Sequence, residues 1–266
     1  MEWIHMDTVR RYGKTPYQIV VVHGGLGAAG ELQPLASTLG RRAGILEPFQ
    51  TKDTVEGQVK ELRQQIIVKG NPPVILVGWS WGAFLSILLA SRHPEMVKRL
   101  VLIGCAPLIP EEAKDIMQTR YERLDPGEVK ELKKIMKVLS QVEDTDENTF
   151  ERFGDLMEKA DVYNEIEHED PEVQFDMHIN MKVWNEASGM RSSGDLLKEL
   201  KKIECPITAI HGKEDPHPWE GVKVPLMKIH PDAEFHLLDR CGHRPWFERH
   251  SSGIFFREME RILIKQ

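Results

Sequence analysis

Cysteine is scarce in this chain, and the few cysteines present are poorly placed for a crosslinked or metal-bound framework. There are three, Cys105, Cys205 and Cys241, an odd number with no C-x-x-C spacing. This pattern argues against a disulfide scaffold and against a thiolate zinc site. It favours a reducing compartment, so we expect a cytoplasmic protein.

Long apolar runs are missing as well. The first residues, MEWIHMDTVRR, lack the apolar core of a signal peptide. No apolar run approaches the roughly 20 residues that a membrane-spanning helix needs. We therefore expect neither a secretion signal nor a membrane span.

Positive charge is in deficit, because 35 Lys and Arg residues stand against 42 Asp and Glu residues, for a net charge of −7. A nucleic-acid-binding surface would show a basic excess, so nucleic acid is not an expected partner. The 11 histidines show no H-E-x-x-H or similar ligand spacing. We therefore predict no metal, and we expect no cofactor.

Short runs rich in Val and Ile alternate with longer helical patterns. Such near-continuous apolar strands are typical of a parallel sheet that is covered on both faces. The predicted strands are 18–24, 43–48, 73–80, 99–107, 205–212 and 233–239. The helices predicted between and after them are 54–70, 81–95 and 253–266. This alternation predicts an α/β fold with a doubly wound, mostly parallel sheet.

The alternation stops after the fourth predicted strand. The next stretch contains charged helical segments at 111–124, 128–141, 147–163 and 173–184. We expect these helices to form a lid over the carboxyl edge of the sheet, where open α/β sheets bind ligands. The predicted organisation is a core made of 1–107 and 201–266 with an inserted helical cap at 108–200.

A candidate nucleophile follows the third predicted strand. Gly78-Trp79-Ser80-Trp81-Gly82 spells G-x-S-x-G between a strand and a helix. In a nucleophile elbow the serine stands on a sharp turn, and the flanking glycines relieve crowding there. The N–H of Trp81, at the start of the helix, would point toward a developing oxyanion. The motif predicts that Ser80 is a nucleophile.

An activated serine needs a base, and the base needs an acid that orients it. In an elbow fold the acid comes next in the chain and the histidine comes last. Asp215 and His243 each follow a predicted strand, so both belong at the same sheet edge as Ser80. Glu214 is the main alternative acid. His217 is a less favoured base, because it lies so soon after the acid.

The glycine-rich stretch after the first predicted strand has two interpretations. Gly25, Gly27 and Gly30 spell the dinucleotide-binding pattern G-x-G-x-x-G, and Glu47 stands where a ribose-binding acid is expected. The same stretch reads His-Gly-Gly, a loop whose N–H groups hold an oxyanion in hydrolases. No tyrosine is followed four positions later by the lysine that a reductase of this size often uses. An NAD(P)-dependent reductase is therefore the weaker alternative.

Four ordered motifs resemble the α/β-hydrolase superfamily. They are His-Gly-Gly at 23–25, the elbow at 78–82, Gly-Lys-Glu-Asp at 212–215 and Gly-His at 242–243. The first two are most similar to the prolyl iminopeptidase-like and esterase branch of capped serine hydrolases. That branch usually has a proline after the paired glycines, where this chain has Leu26.

The resemblance implies a role for each matching residue. Ser80 would be the nucleophile, Asp215 the acid and His243 the base of a catalytic triad. The backbone N–H groups of Gly25 and Trp81 would form the oxyanion hole. These roles imply a hydrolase that works without a metal or cofactor.

The substrate is expected to be a small molecule. Trp79 and Trp246 flank the catalytic motifs, and we expect both to line the substrate pocket. The first expectation is a small or medium carboxylic ester. The second is an N-terminal aminoacyl amide, which requires a buried cap carboxylate facing Ser80. A non-catalytic ligand-binding protein on the same fold is a third possibility, and a homo-oligomer remains open.

Overall fold

The computed structural model describes residues 8–25, 28–139, 147–169, 171 and 173–264. Its strands are β1 Val9–Tyr12, β2 Tyr17–Val22, β3 Ala28–Ala29, β4 Gly44–Pro48, β5 Val74–Trp79, β6 Val97–Ile103, β7 Gln174–Phe175, β8 Ile207–Gly212 and β9 Glu234–Leu238. Gly27, the middle glycine of the dinucleotide-like pattern, and Leu26 lie outside the described residues.

Helices fill most of the chain between the strands. They are α1 Gln33–Gly40, α2 Val55–Lys69, α3 Trp81–Arg92, α4 Ile116–Arg123, α5 Pro126–Leu139, α6 Glu147–Asp161, α7 Met177–Ser192, α8 Asp195–Leu200, α9 Glu220–Ile229 and α10 Ser252–Ile264. Within the described ranges, none of these helices combines the length and the apolarity that crossing a bilayer requires.

Seven of the strands form one sheet in the order β1-β4-β2-β5-β6-β8-β9. The pairs from β4 to β9 are parallel, whereas the edge strand β1 runs antiparallel to β4. The predicted doubly wound, mostly parallel sheet is therefore confirmed. All six predicted strands are present. Strand β1 was not predicted, because its sequence VRRY contains no apolar run.

Helices cover both faces of this sheet. On one face α2, α3, α8 and α9 pack in a single apolar cluster that includes Leu62, Leu85, Leu196 and Leu226. On the other face α1 and α10 supply Leu35 and Phe255 to a second cluster. Helix α3 is buried along almost its whole length, as expected of a helix that is apolar on all sides. The central strands thus hold the elbow at their carboxyl ends rigidly.

The chain between β6 and β8 contains α4 to α8 and the short strand β7. Helices α4 to α6 share a small apolar cluster of their own, which includes Leu132 and Leu156. By contrast, Val183 of α7 packs into the main core beside the sheet. A helix is predicted from Val173, but the structure places β7 there, paired antiparallel with β3. This pairing joins the inserted region to the loop after β2.

Candidate active site

Ser80 occupies the sharp turn between β5 and α3. Its backbone adopts φ 53° and ψ −116°, a region that costs a non-glycine residue energy and that clusters at functional sites. The Ser80 N–H donates to Ile103 O at 3.0 Å, which ties the turn to the end of β6. The strained turn holds the serine at the carboxyl edge of the sheet.

The two glycines of the elbow are required by close backbone approach. A side chain on Gly78 would overlap the carbonyl oxygen of Gly82, and one on Gly82 would overlap that of Val22. Both positions therefore exclude any Cβ atom. This explains sterically why the strand can pass into the helix within one residue at Ser80.

Trp81 begins α3, and its side chain and backbone have separate roles. The indole Nε1 donates to Gln50 Oε1 at 2.9 Å and to Gln58 Oε1 at 3.0 Å, so the ring is anchored in the core. The backbone N–H belongs to the first turn of the helix, where N–H groups have no intrahelical partner. The helix start at Trp81 is thus suited to bind negative charge beside Ser80.

The loop after β2 lies against the elbow. A Cβ atom on Gly24 would lie 2.8 Å from Ser80 Cβ, so the loop backbone packs directly on the serine. His23 braces this loop, with Nδ1 3.2 Å from Gly25 O and Nε2 accepting from Gln50 N at 3.2 Å. Gly25 and Trp81 therefore lie on segments that converge at Ser80.

Asp215 and His243, predicted as acid and base, are hydrogen-bonded to each other. His243 Nδ1 lies 2.7 Å from Asp215 Oδ2, and the Asp215 side chain is completely buried. Burial acts to raise the pKa of Asp215, but the rings of His243 and His217 hold it well below its usual value. Burial acts to lower the pKa of His243, but Asp215 raises it above its usual value. The pair therefore consists of an ionised carboxylate and an oriented imidazole.

Two further histidines surround the same carboxylate. His217 Nδ1 lies 2.8 Å from Asp215 Oδ1, and the His217 N–H donates to that oxygen at 2.9 Å. His211 Nε2 lies 3.4 Å from Asp215 Oδ2. Burial lowers the pKa of His217 to about 4, despite the nearby Asp215 charge. His217 is therefore a neutral donor to the acid.

Glu214, the alternative acid, instead accepts from the Cys241 N–H.

The loop that carries His243 is held by hydrogen bonds that sequence reasoning did not predict. The His243 N–H donates to Asp161 O at 2.8 Å, and Trp79 Nε1 donates to His243 O at 2.9 Å. The Asp161 carboxylate forms a bidentate pair with Arg120, with distances of 2.6 and 2.7 Å. The inserted helices α4 and α6 therefore help to position the histidine.

Glu248 links the same loop to the inserted region. Its side chain is fully buried. It accepts the N–H groups of Gly242, Tyr163 and Asn164, each at 2.8 Å. These N–H groups come from two segments that lie far apart in the chain. No sequence motif predicts this role of Glu248, because its partners are backbone groups.

The serine and the histidine lie at the same end of the sheet. The ring of Trp79, the residue before Ser80, lies 5.1 Å from the His243 ring. The hydrogen bonds described for His243 use Nδ1 and its backbone, and none of them joins the ring to Ser80 Oγ. Hydrogen bonds between nucleophile and base are often long until substrate binds.

The family of this chain follows from its sequence profile. Residues 19–254 match the model of a family described as the alpha/beta hydrolase family. The chain belongs to this family. The predicted resemblance is thereby confirmed, and the topology of the sheet agrees with it.

Several known proteins are similar to this chain. A 2-hydroxy-6-oxononadienedioate/2-hydroxy-6-oxononatrienedioate hydrolase of Paraburkholderia phymatum is 28% identical over 63% of this chain and 55% of its own length. The pimeloyl-[acyl-carrier protein] methyl ester esterase of Nitrosomonas europaea is 22% identical over 92% of this chain and 94% of its own length. Among solved structures, VinJ has a TM-score of 0.69 at 19% identity, over 96% of this chain and 93% of its own. The chain spans 33% to 60% of the length of the first curated relatives it matches.

Trp79 and Trp246, the predicted pocket residues, are both buried. They are 7% and 3% exposed, and their rings meet edge to face at 5.1 Å. Both belong to the apolar cluster under the sheet that also contains Phe255. The ring of Trp79 also contacts the ring of His243. The expectation that the two tryptophans line the substrate pocket stays a prediction.

Two clusters of potential metal ligands occur in the described ranges. Asp215, His217 and His243 form one, and Glu158, Glu165 and His168 form the other. In the first cluster the ligand atoms already bond to one another. In the second, the guanidinium of Arg244 bonds to both carboxylates.

Glu47, the candidate ribose-binding acid, is fully buried and accepts from Tyr12 and Leu32, so it does not face a ligand.

Proposed function

We propose that this protein is a serine hydrolase that cleaves a small or medium carboxylic ester. The observation that carries the proposal is the 2.7 Å hydrogen bond between His243 Nδ1 and Asp215 Oδ2, at the sheet edge that also holds the strained Ser80 turn. A buried carboxylate on Nδ1 fixes the tautomer of the ring and leaves Nε2 free to take a proton.

In the proposed reaction, Ser80 Oγ attacks the ester carbonyl carbon while His243 Nε2 takes the hydroxyl proton. The carbonyl oxygen becomes an oxyanion, which accepts from the N–H groups of Gly25 and Trp81. Loss of one such donor typically costs about 100- to 1000-fold in rate. The tetrahedral intermediate then expels the alcohol, which takes the proton from His243. Water, deprotonated by His243, cleaves the acyl-enzyme and restores Ser80.

The surroundings of the site favour an ester over an N-terminal aminoacyl amide. An aminopeptidase would need a cap carboxylate to bind the free amine of its substrate. Two carboxylates of the inserted region beside the histidine loop, Asp161 and Glu165, are ion-paired with Arg120 and Arg244. The esterase relative that matches nearly the whole chain is named for a methyl ester substrate, which agrees with this choice.

The test is intact-protein mass spectrometry after incubation with a fluorophosphonate, which reacts with activated serines. We expect one adduct on the wild type and none on Ser80→Ala or His243→Ala. Ser86→Ala is a matched control from the same helix, because its buried hydroxyl has no described partner. It should label like the wild type. His236→Ala, in β9, is the corresponding histidine control.

Turnover of p-nitrophenyl butyrate and of proline p-nitroanilide then separates the two substrate classes. Hydrolysis of the first alone supports the proposal. Hydrolysis of the second alone would favour the aminopeptidase. A correctly folded wild type that neither labels nor turns over either compound would contradict a serine hydrolase and favour a ligand-binding role.

A further inference from the structure

Glu31 places a carboxylate on the backbone group that the proposed reaction needs. Its Oε1 accepts the N–H of Gly25, six residues earlier in the chain. A Cβ atom on Gly25 would lie 2.9 Å from Glu31 Oε2, so both carboxylate oxygens pack against this glycine. The Glu31 carboxyl group is thus bound to the same N–H that is proposed to bind the oxyanion of the substrate.

The fold holds this carboxylate beside the nucleophile. The Ala28 N–H donates to Gly25 O at 2.9 Å, and β3 pairs with β7 of the inserted region. Gly30 turns the chain with φ 99° just before Glu31. Because Gly24 packs on Ser80, the Glu31 carboxylate lies on the loop that flanks the serine.

The groups whose positive charge acts on Glu31 are Arg244 and, when it is protonated, His243. The Arg244 guanidinium is bound to Glu158 and Glu165, so its charge is shared with those carboxylates. Burial raises the pKa of Glu31 to about 7, although the N–H groups of Gly25 and Gly24 and these two cations act to lower it. The carboxyl therefore changes its charge near neutral pH.

We propose that Glu31 is a positioning residue that controls the Gly25 N–H: its ionised carboxylate holds this donor against substrate, and its protonation releases the donor to the oxyanion. This inference rests on the proposed esterase function. An ionised carboxylate accepts a hydrogen bond far more strongly than a neutral carboxyl does. It also repels an oxyanion at the same position. The proton comes from solvent, and no covalent bond to Glu31 forms or breaks.

The proposal predicts two opposing pH dependences. His243 must be neutral to act as a base, so the rate rises with pH through the pKa of His243. Glu31 must be protonated, so the rate falls by about tenfold per pH unit above its pKa. Glu31→Gln keeps the shape of the side chain but cannot ionise, and it should lose only the second dependence.

The experiment measures the rate constant of Ser80 labelling by a fluorophosphonate, whose phosphoryl oxygen takes the oxyanion position, from about pH 5 to about pH 9. The wild type, Glu31→Gln and Glu95→Gln are compared. Glu95 is an exposed carboxylate just before β6, at the amino end of that strand and so opposite the carboxyl edge of the sheet that holds Ser80. We expect the wild type and Glu95→Gln to slow at alkaline pH. Glu31→Gln should stay fast and exceed the wild type by about tenfold near pH 8.

Each outcome separates this inference from the function on which it rests. If the wild type labels at Ser80 but Glu31→Gln keeps the same alkaline decline, the role of Glu31 is wrong and the esterase proposal stands. If neither protein labels although both melt cooperatively, both proposals fall. If the wild type labels near neutral pH and Glu31→Gln alone still labels fast at alkaline pH, both are supported. The melting temperature of each variant shows whether the substitution perturbs folding.

Discussion

Two imidazoles bind opposite oxygens of one buried carboxylate: His217 Nδ1 lies 2.8 Å from Asp215 Oδ1, and His243 Nδ1 lies 2.7 Å from Asp215 Oδ2. The two rings are 4.5 Å apart. Only His243 belongs to the loop that the inserted helices hold in place through Asp161. His217 is therefore the candidate residue that orients Asp215, whereas His243 is the candidate base.

The first prediction concerns the different roles of these two histidines. His217→Ala should lower kcat/KM for an ester by about tenfold, because one hydrogen bond to a charged acceptor is lost while the His217 backbone N–H remains. His243→Ala should lower it by at least about 1000-fold. Steady-state kinetics on the wild type and both variants measure how far each substitution lowers kcat/KM. The opposite ranking would identify His217 as the base.

The second prediction concerns the charge on Asp215. Because this carboxylate raises the pKa of His243, Asp215→Asn should move the acid limb of the pH profile to lower pH. It should also reduce kcat by about 10⁴-fold, since the amide no longer fixes the productive tautomer. The acid limb moves to lower pH because only neutral His243 accepts the serine proton, and without the Asp215 charge His243 stays neutral at lower pH. An acid limb that stays in place would mean that another group sets it.

The third prediction concerns Glu248. Glu248→Gln replaces one acceptor oxygen by an NH₂ group, which would face at least one of the three backbone N–H donors. One unsatisfied buried donor costs about 1–3 kcal/mol. We expect a loss of this size in the free energy of unfolding, measured by urea denaturation, together with a slower reaction at Ser80. Glu151→Gln, on the exposed face of α6, is the control and should change neither.

The fourth prediction concerns stability and Glu31, and it does not depend on catalysis. A carboxyl whose pKa is higher in the folded than in the unfolded state stabilises the fold at low pH and loses that contribution as pH rises. Here the loss extends from the ordinary glutamate pKa up to about 7. The melting temperature of Glu31→Gln relative to the wild type should therefore rise across this interval. If the melting temperatures of the two proteins differ by the same amount at every pH, Glu31 has an ordinary pKa in the folded protein.

The sheet and its family could be predicted from the sequence because the signals are local. Each central strand is buried on both faces, so it appears as an uninterrupted apolar run, as in Val74–Trp79. The G-x-S-x-G elbow is local as well, since Gly78 and Gly82 are required by contacts around the Ser80 turn itself. By contrast, β1 is too short and polar to stand out, and α9 is obscured by Pro225 inside it.

The sequence by itself determined the alternation that defines the sheet, the position of the strained serine and the order in which Asp215 and His243 follow it. Only the tertiary structure decided what surrounds them. The bonds from Glu248 to Tyr163 and Asn164 join residues 85 and 84 positions apart. The Glu31 carboxylate meets Gly25 only because the loop folds back on itself. The burial of Trp79 and Trp246 also depends on residues that are distant in the chain. The physical reason is that backbone donors leave no signature in a side-chain pattern, and contacts between distant segments exist only once those segments have packed.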